Sequence, residues 1–206
     1  MTIRRRARGF TLIEVLVALA LLALLAMLGW RALDGLVRTR DALAQSTQTW
    51  LGWQTTLAQW RTDLDAWTSG PTADDRLPTW SVSAQTVRWL RRAPTGPDAA
   101  PGWIVVAWAA VDDGQRWARW QSPPVRDLAQ ARVQWASAPQ RVRDEGVRTV
   151  AIAGWSLHTW IDEAWRPPAD DTPPVAVRLT LTPAPGGPGG PLVVDWVAAS
   201  VAGGKQ

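Results

Sequence analysis

The stretch RRRARGFTLIEVLVALALLALLAMLGW, Arg4 to Trp30, constrains this chain more than any other part of it. Its apolar run from Phe10 to Trp30 reaches the ~20 residues that a membrane-spanning helix requires. A secretory signal peptide has a shorter core of roughly 7–15 residues, closed by an A-x-A-like site. Here the uncharged run continues from Val15 to Trp30, and AMLGWRAL offers only poor matches to such a site. A plain anchor accounts for the length, and the arginines before it would hold the N-terminus on the cytoplasmic side. Neither reading accounts for Glu14. A carboxylate in hydrocarbon costs about 2.5–3.5 kcal/mol or more at a helix centre, so it calls for a partner.

The order of residues supplies one. A basic leader, Gly9, Phe10, Thr11, two aliphatic residues, Glu14 and an unbroken apolar run follow one another. This string resembles the class III signal of type IV pilins and type II secretion pseudopilins. The resemblance implies a leader, residues 1–9, removed by a prepilin peptidase between Gly9 and Phe10. It also implies N-methylation of Phe10 and retention of the apolar segment, with Glu14 in the family's acidic position. Cleavage would free an α-amine at Phe10, about one helical turn from Glu14. A neighbour's amine can then neutralise the acid, so a subunit is stabilised in lipid only when packed beside another. Glycine at position 9 suits the peptidase because it admits a close backbone approach.

Helical pattern continues past the apolar run. Leu36, Leu43, Trp50, Leu57 and Leu64 recur every seven residues, and Trp53, Trp60 and Trp67 follow three after the last three of them. This is a/d spacing. The polar positions between carry Arg38, Arg40, Asp41, Gln45, Gln48, Gln54, Gln59, Arg61 and Asp63. Gly70-Pro71 reads as a stop. One helix is therefore expected over about 10–69, roughly 90 Å long. Its transmembrane half is 10–30 and its periplasmic amphipathic half 31–69. Bulky tryptophans at successive positions suit a helix lying on a sheet better than a tight dimer seam. Gly29, Gly35 and Gly52 are unfavourable inside a helix; the first two, near the membrane exit, suit a bend or close packing.

Beyond residue 70 the period shortens. Thr86–Leu90 reads as a strand, after a short one near Trp80–Ser83. GWIVVAWAAV and QRWARW read as a hairpin turning at Asp113-Gly114. PPVRDLAQARVQW reads as a short helix started by Pro123-Pro124. VRTVAIAGWSLHTWID is one strand or two, with Gly154 as a bulge or bend. PPVAVRLTLT places Val175, Val177, Leu179 and Leu181 on one face. PAPGGPGGP is a turn before a last strand in PLVVDWVAAS. The class is α+β: a pilin-like long helix, transmembrane then amphipathic, packed on a mostly antiparallel β domain over 70–206.

The order GWRALDGLVRTRDAL, PGWIVVAW, VAIAGWSLHTWIDEAWRPP, PPVAVRLTLTPAPG resembles the J class of type II secretion minor pseudopilins. Trp155, Leu157, Trp160, Trp165, Pro174, Val175, Val177 and Leu179 stand in that class's motif positions. Tryptophan replaces the usual Tyr or Phe, and the stretch His158–Ala164 is short. The resemblance implies an inner-membrane protein with one span and a periplasmic domain, incorporated in a pseudopilus. Its expected partners are I- and K-class minor pseudopilins, with the H class a further candidate, the major pseudopilin, the prepilin peptidase and the inner-membrane assembly platform. A minor pilin of a type IV pilus, acting in assembly, adhesion or DNA uptake, is the alternative.

Nothing in the chain argues for catalysis or a cofactor. The formal charge of +4 suggests nucleic acid only until the charges are placed. Arg4, Arg5, Arg6 and Arg8 precede Phe10 with no acid among them, so the other 18 basic residues balance the 18 acidic ones. A nucleic-acid partner is not expected. With no cysteine and one histidine, His158, thiolate and His-rich metal sites are excluded. His158 itself reads as an ordinary strand residue. Asp74-Asp75, Asp112-Asp113 and Asp170-Asp171 lack the spaced oxygen ligands of a calcium loop, so no metal is expected. Ser81 and Ser83 have no nucleophile elbow around them. Beyond that leader, Arg88, Arg91 and Arg92 form the densest local basic cluster and read as a solvated strand edge, or a surface for an acidic partner. The 16 tryptophans, against one Phe and no Tyr, read as the aromatic share of the core.

Overall fold

The computed structural model describes residues 11–68, 78–83, 85–94, 101–168 and 173–198. The chain divides into two compact units, 1–48 and 49–206. Over its described residues the first is the N-terminal part of helix α1, Leu12–Asp65, with every side chain exposed. The helix runs through Gly29, Gly35 and Gly52, and a Cβ at any of them would meet nothing within 4 Å.

The second unit holds the last part of α1, a sheet and a second helix. Among the described residues, eight antiparallel strands follow α1: β1 Trp80–Val82, β2 Thr86–Arg92, β3 Trp103–Val111, β4 Arg116–Gln121, β5 Val147–Ile161, β6 Ala164–Arg166, β7 Ala176–Pro183 and β8 Leu192–Val197. Their order is β1-β2-β3-β4-β5-β7-β8, with β6 paired to β5. β5 holds the two halves together. Its start pairs with β4 and its remainder with β7, and the register shifts between Ile152 and Gly154, where the glycine predicts a bulge.

α1 stops four residues short of the expected end at residue 69, and the sheet decides where. Trp67 bridges to Arg91, and the Thr68 N–H donates to the Leu90 carbonyl at 3.2 Å. Trp67 is thus a strand-like residue and not the last of the helical stripe; Gly70-Pro71 lie outside the described residues.

The sheet is covered differently on its two faces. β3 shows why GWIVVAWAAV reads as an unbroken apolar run: both of its faces are buried. Ile104, Val106, Trp108 and Ala110 belong to the core under α1, while Val105, Ala107, Ala109 and Val111 belong to the core under the second helix. On the α1 side, Trp60 meets Trp89 and Trp108 edge-on, with centroids 5.2 and 5.5 Å away. Trp80, Trp117 and Trp155 extend this indole cluster. The heptad stripe is buried only in part: Trp53, Trp60 and Leu64 are buried, whereas Leu36, Leu43 and Trp50 are exposed.

The second helix, α2, spans Leu128–Asp144, so it starts later and runs longer than Pro123-Pro124 suggests. Asp127 caps it, its Oδ1 accepting the Gln130 N–H at 2.8 Å. α2 continues through Pro139, which cannot donate to the Trp135 carbonyl one turn back. Arg88 meets that carbonyl instead, donating from Nη1 at 2.7 Å, with its guanidinium 4.8 Å from the Trp135 ring. The Arg88–Arg91–Arg92 cluster is therefore no strand edge. β2 lies between β1 and β3, and Arg91 is buried.

One turn differs from expectation. The β3–β4 loop occupies Asp112–Gln115, because Val111 pairs with Arg116; Asp112 and Asp113 join Gly114 at positive φ. Asp162 and Glu163, at φ 48° and 59°, make a two-residue β5–β6 turn of the type that needs positive φ at both positions. In β7, Val177, Leu179 and Leu181 are fully buried as the alternation predicts, while Val175 precedes the strand and is exposed.

Arg178 grips Asp195 across β7 and β8 with two hydrogen bonds of 2.7 and 2.6 Å. These bonds hold the Asp195 carboxyl below its ordinary 3.8, against partial desolvation. A depressed folded value stabilises fully above 3.8 and is lost as pH falls through that lower value. Both side chains are more than a third exposed, so under about 1 kcal/mol is expected. Urea titrations of wild type and Asp195→Asn should differ at neutral pH and converge on acidification. A gap that does not change with pH would refute the pairing.

Candidate assembly site

Thr11 and Glu14 open α1. The Glu14 Oε2 accepts the Thr11 backbone N–H and the Thr11 Oγ1–H, both at 2.9 Å, and the Glu14 N–H donates back to Thr11 Oγ1 at 3.3 Å. This is a capping box. Glu14 closes on Thr11 because residues three apart face each other across the first helical turn. The acid also sits where helix N-termini favour negative charge. Within one chain, then, Glu14 already has a partner. Sequence reasoning singled out Glu14 and passed over Thr11, although T-x-x-E before an apolar run is the signature of such a cap. Gly9 and Phe10 lie outside the described residues. Behind Glu14 the helix is long and apolar enough to cross a membrane.

A second polar site, which the sequence reading missed, locks the end of α1 onto the sheet. Helical period places Asp63 among the polar positions between the stripes, yet it is fully buried. Its Oδ2 accepts Arg119 Nε at 2.6 Å and Trp108 Nε1 at 3.0 Å. Its Oδ1 accepts Arg119 Nη2 at 2.7 Å and Gln59 Nε2 at 2.9 Å. Arg91 Nε stands 3.5 Å from Oδ1, and Trp89 Nε1 donates to the Asp63 carbonyl at 3.0 Å. A carboxylate near a helix C-terminus faces the wrong end of the dipole. The two guanidiniums, one bidentate, offset that. Burial pushes the Arg91 guanidinium below its ordinary value; Asp63 opposes the shift and Arg119 reinforces it.

The other candidates stay apart. His158 is half-buried in β5, opposite Arg178. Asp112 pairs with Arg148 at 3.1 Å, while Asp74-Asp75 and Asp170-Asp171 lie outside the described residues. Among the described residues no three His, Cys, Asp or Glu side chains could hold a metal ion together. Trp160 and Trp165 face each other across β5 and β6, centroids 5.3 Å apart, and Arg178 covers the Trp165 ring at 4.3 Å.

Residues 4–30 match the family model described as the prokaryotic N-terminal methylation motif. Among solved structures, the chain is similar to one in the crystal structure of the GspK-GspI-GspJ complex of the enterotoxigenic Escherichia coli type 2 secretion system. The TM-score is 0.52 at 18% identity, over 72% of this chain and 96% of that one. The fold is pilin-like. No curated protein matches the sequence.

Proposed function

We propose that this chain is a J-class (GspJ-like) minor pseudopilin of a type II secretion system and not an enzyme. One conjunction supports the reading: a methylation motif over residues 4–30 stands in the same chain as a fold that matches nearly the whole of a chain from a GspK-GspI-GspJ complex. On this reading residues 1–9 are the leader, 10–30 the membrane span, 31–69 the periplasmic part of the helix and 70–206 the periplasmic domain. The protein joins I- and K-class partners at the pseudopilus tip and primes assembly for export of folded proteins across the outer membrane. Glu14, held by Thr11 in the single subunit, exchanges to the N-methylated amine of a neighbour's first residue on assembly.

The mature chain should begin at N-methylated Phe10, as read by N-terminal sequencing and intact mass, and Gly9→Val should leave an uncut precursor. A mature chain starting elsewhere would sink the reading. Glu14→Leu should be cleaved normally but reduce secretion at least about tenfold. The scale follows from the 2.5–3.5 kcal/mol bias that removing an intramembrane charge abolishes. Undiminished secretion by Glu14→Leu would exclude the exchange.

A further inference from the structure

α2 begins only at Leu128, and the sheet's end at Arg92 and Trp103 holds a cavity of its own. There Arg92, Ala93, Pro101, Gly102, Trp103 and Arg126 line an open concavity of about 420 Å³. Backbone fixes its floor. Trp103 N–H donates to Val125 at 2.9 Å and Val125 N–H donates back at 2.8 Å, while Ala93 N–H donates to the Gly102 carbonyl at 2.9 Å. Gly102 has φ 153°, and a Cβ on it would stand 2.4 Å from the Val125 carbonyl oxygen, so only glycine lets the two backbones approach this closely.

The lining is apolar and the rim is cationic. Arg92 and Arg126 are exposed, and among the described residues neither side chain has a hydrogen-bond or ion-pair partner. On the opposite face of the sheet, under α1, Arg91 and Arg119 share the carboxylate of Asp63 and take no part in this rim. Asp127 beside Arg126 is engaged as the α2 cap. The rim thus presents two guanidiniums without an ion-pair partner among the described residues, in a chain that is formally neutral from Phe10 onward.

We propose that this concavity docks an acidic segment of a neighbouring pseudopilin, with a carboxylate between Arg92 and Arg126 and an adjacent apolar side chain against Trp103 and Pro101. The identity of the neighbour rests on the functional reading above; the chemistry of the pocket does not. Guanidinium geometry suits carboxylates, the rim charges select and steer the partner, and the apolar floor supplies burial.

The first test titrates the full chain in detergent micelles with a fluorescein-labelled peptide of alternating glutamate and leucine, and with its lysine counterpart, by anisotropy. The acidic peptide should saturate and the basic one should not. Arg92→Glu with Arg126→Glu should weaken binding at least about tenfold without moving the thermal midpoint. Absence of saturable binding, or binding indifferent to the reversal, overturns the pocket. The second test co-purifies the full chain with the I- and K-class subunits of its own system. Loss of the complex in the double variant places the segment on those neighbours. A complex that survives the reversal overturns the assignment to them, while its presence in wild type upholds the functional reading. A wild-type chain that forms no complex counts against that reading, and the peptide titration then decides the pocket alone.

Discussion

Replacing Asp63 by alanine is expected to destabilise the folded chain by about 3–5 kcal/mol, the cost of leaving buried charge without its counterion. Asp63 is fully buried and accepts four side-chain hydrogen bonds, two of them from one guanidinium fork. Without it, Arg91 and Arg119 face each other in a site that already penalises the Arg91 charge. Trp108 Nε1 also loses its acceptor. A urea titration of the full chain in micelles, followed by tryptophan fluorescence, measures the change. Asp63→Leu combined with Arg91→Met and Arg119→Met separates charge from packing. Whole buried ion clusters can be replaced by apolar groups at little cost, so the triple variant should regain much of the loss. A single-variant cost below about 1 kcal/mol, or a triple variant no better than the single, would refute the account.

Trp60→Ala is expected to cost about as much, 3–5 kcal/mol, from lost burial plus the cavity left behind. Trp60 is fully buried and is the α1 residue that three sheet tryptophans, Trp89, Trp108 and Trp117, close around. Each favourable ring pair adds about 0.5–1.5 kcal/mol beyond burial. Trp60→Phe keeps an apolar ring in place and should lose distinctly less. The same titration checks both variants, with Trp50→Ala as the control: Trp50 lies on the same helix but is half-exposed. If Trp50→Ala cost as much as Trp60→Ala, the helix–sheet core would not be where the stability resides.

Much of the fold was legible because its causes are local. The hairpin of β3 and β4, the alternation in β7 and the bulge at Gly154 each follow from neighbouring side chains. The errors share one origin. The end of α1, the true length of α2 and the burial of Asp63 and Arg91 all depend on groups far away in sequence. Pro139 would normally argue against a helix there; Arg88, 47 residues before the Trp135 carbonyl it meets, makes it tolerable.

What the sequence determined by itself is the opening segment. Arg4, Arg5, Arg6, Arg8, Gly9, Phe10 and Glu14 before an apolar run need no tertiary contact to be recognised as a methylation motif, because the motif is written in consecutive residues. What only the tertiary structure decided is which polar residues are buried. Helical period places Asp63 between the stripes with no sign of its partners. Arg119 lies 56 residues away and reaches Asp63 only once β4 is laid beside β3. A carboxylate and a guanidinium carry no sequence mark of pairing, since their attraction acts through space and the sheet alone sets that space.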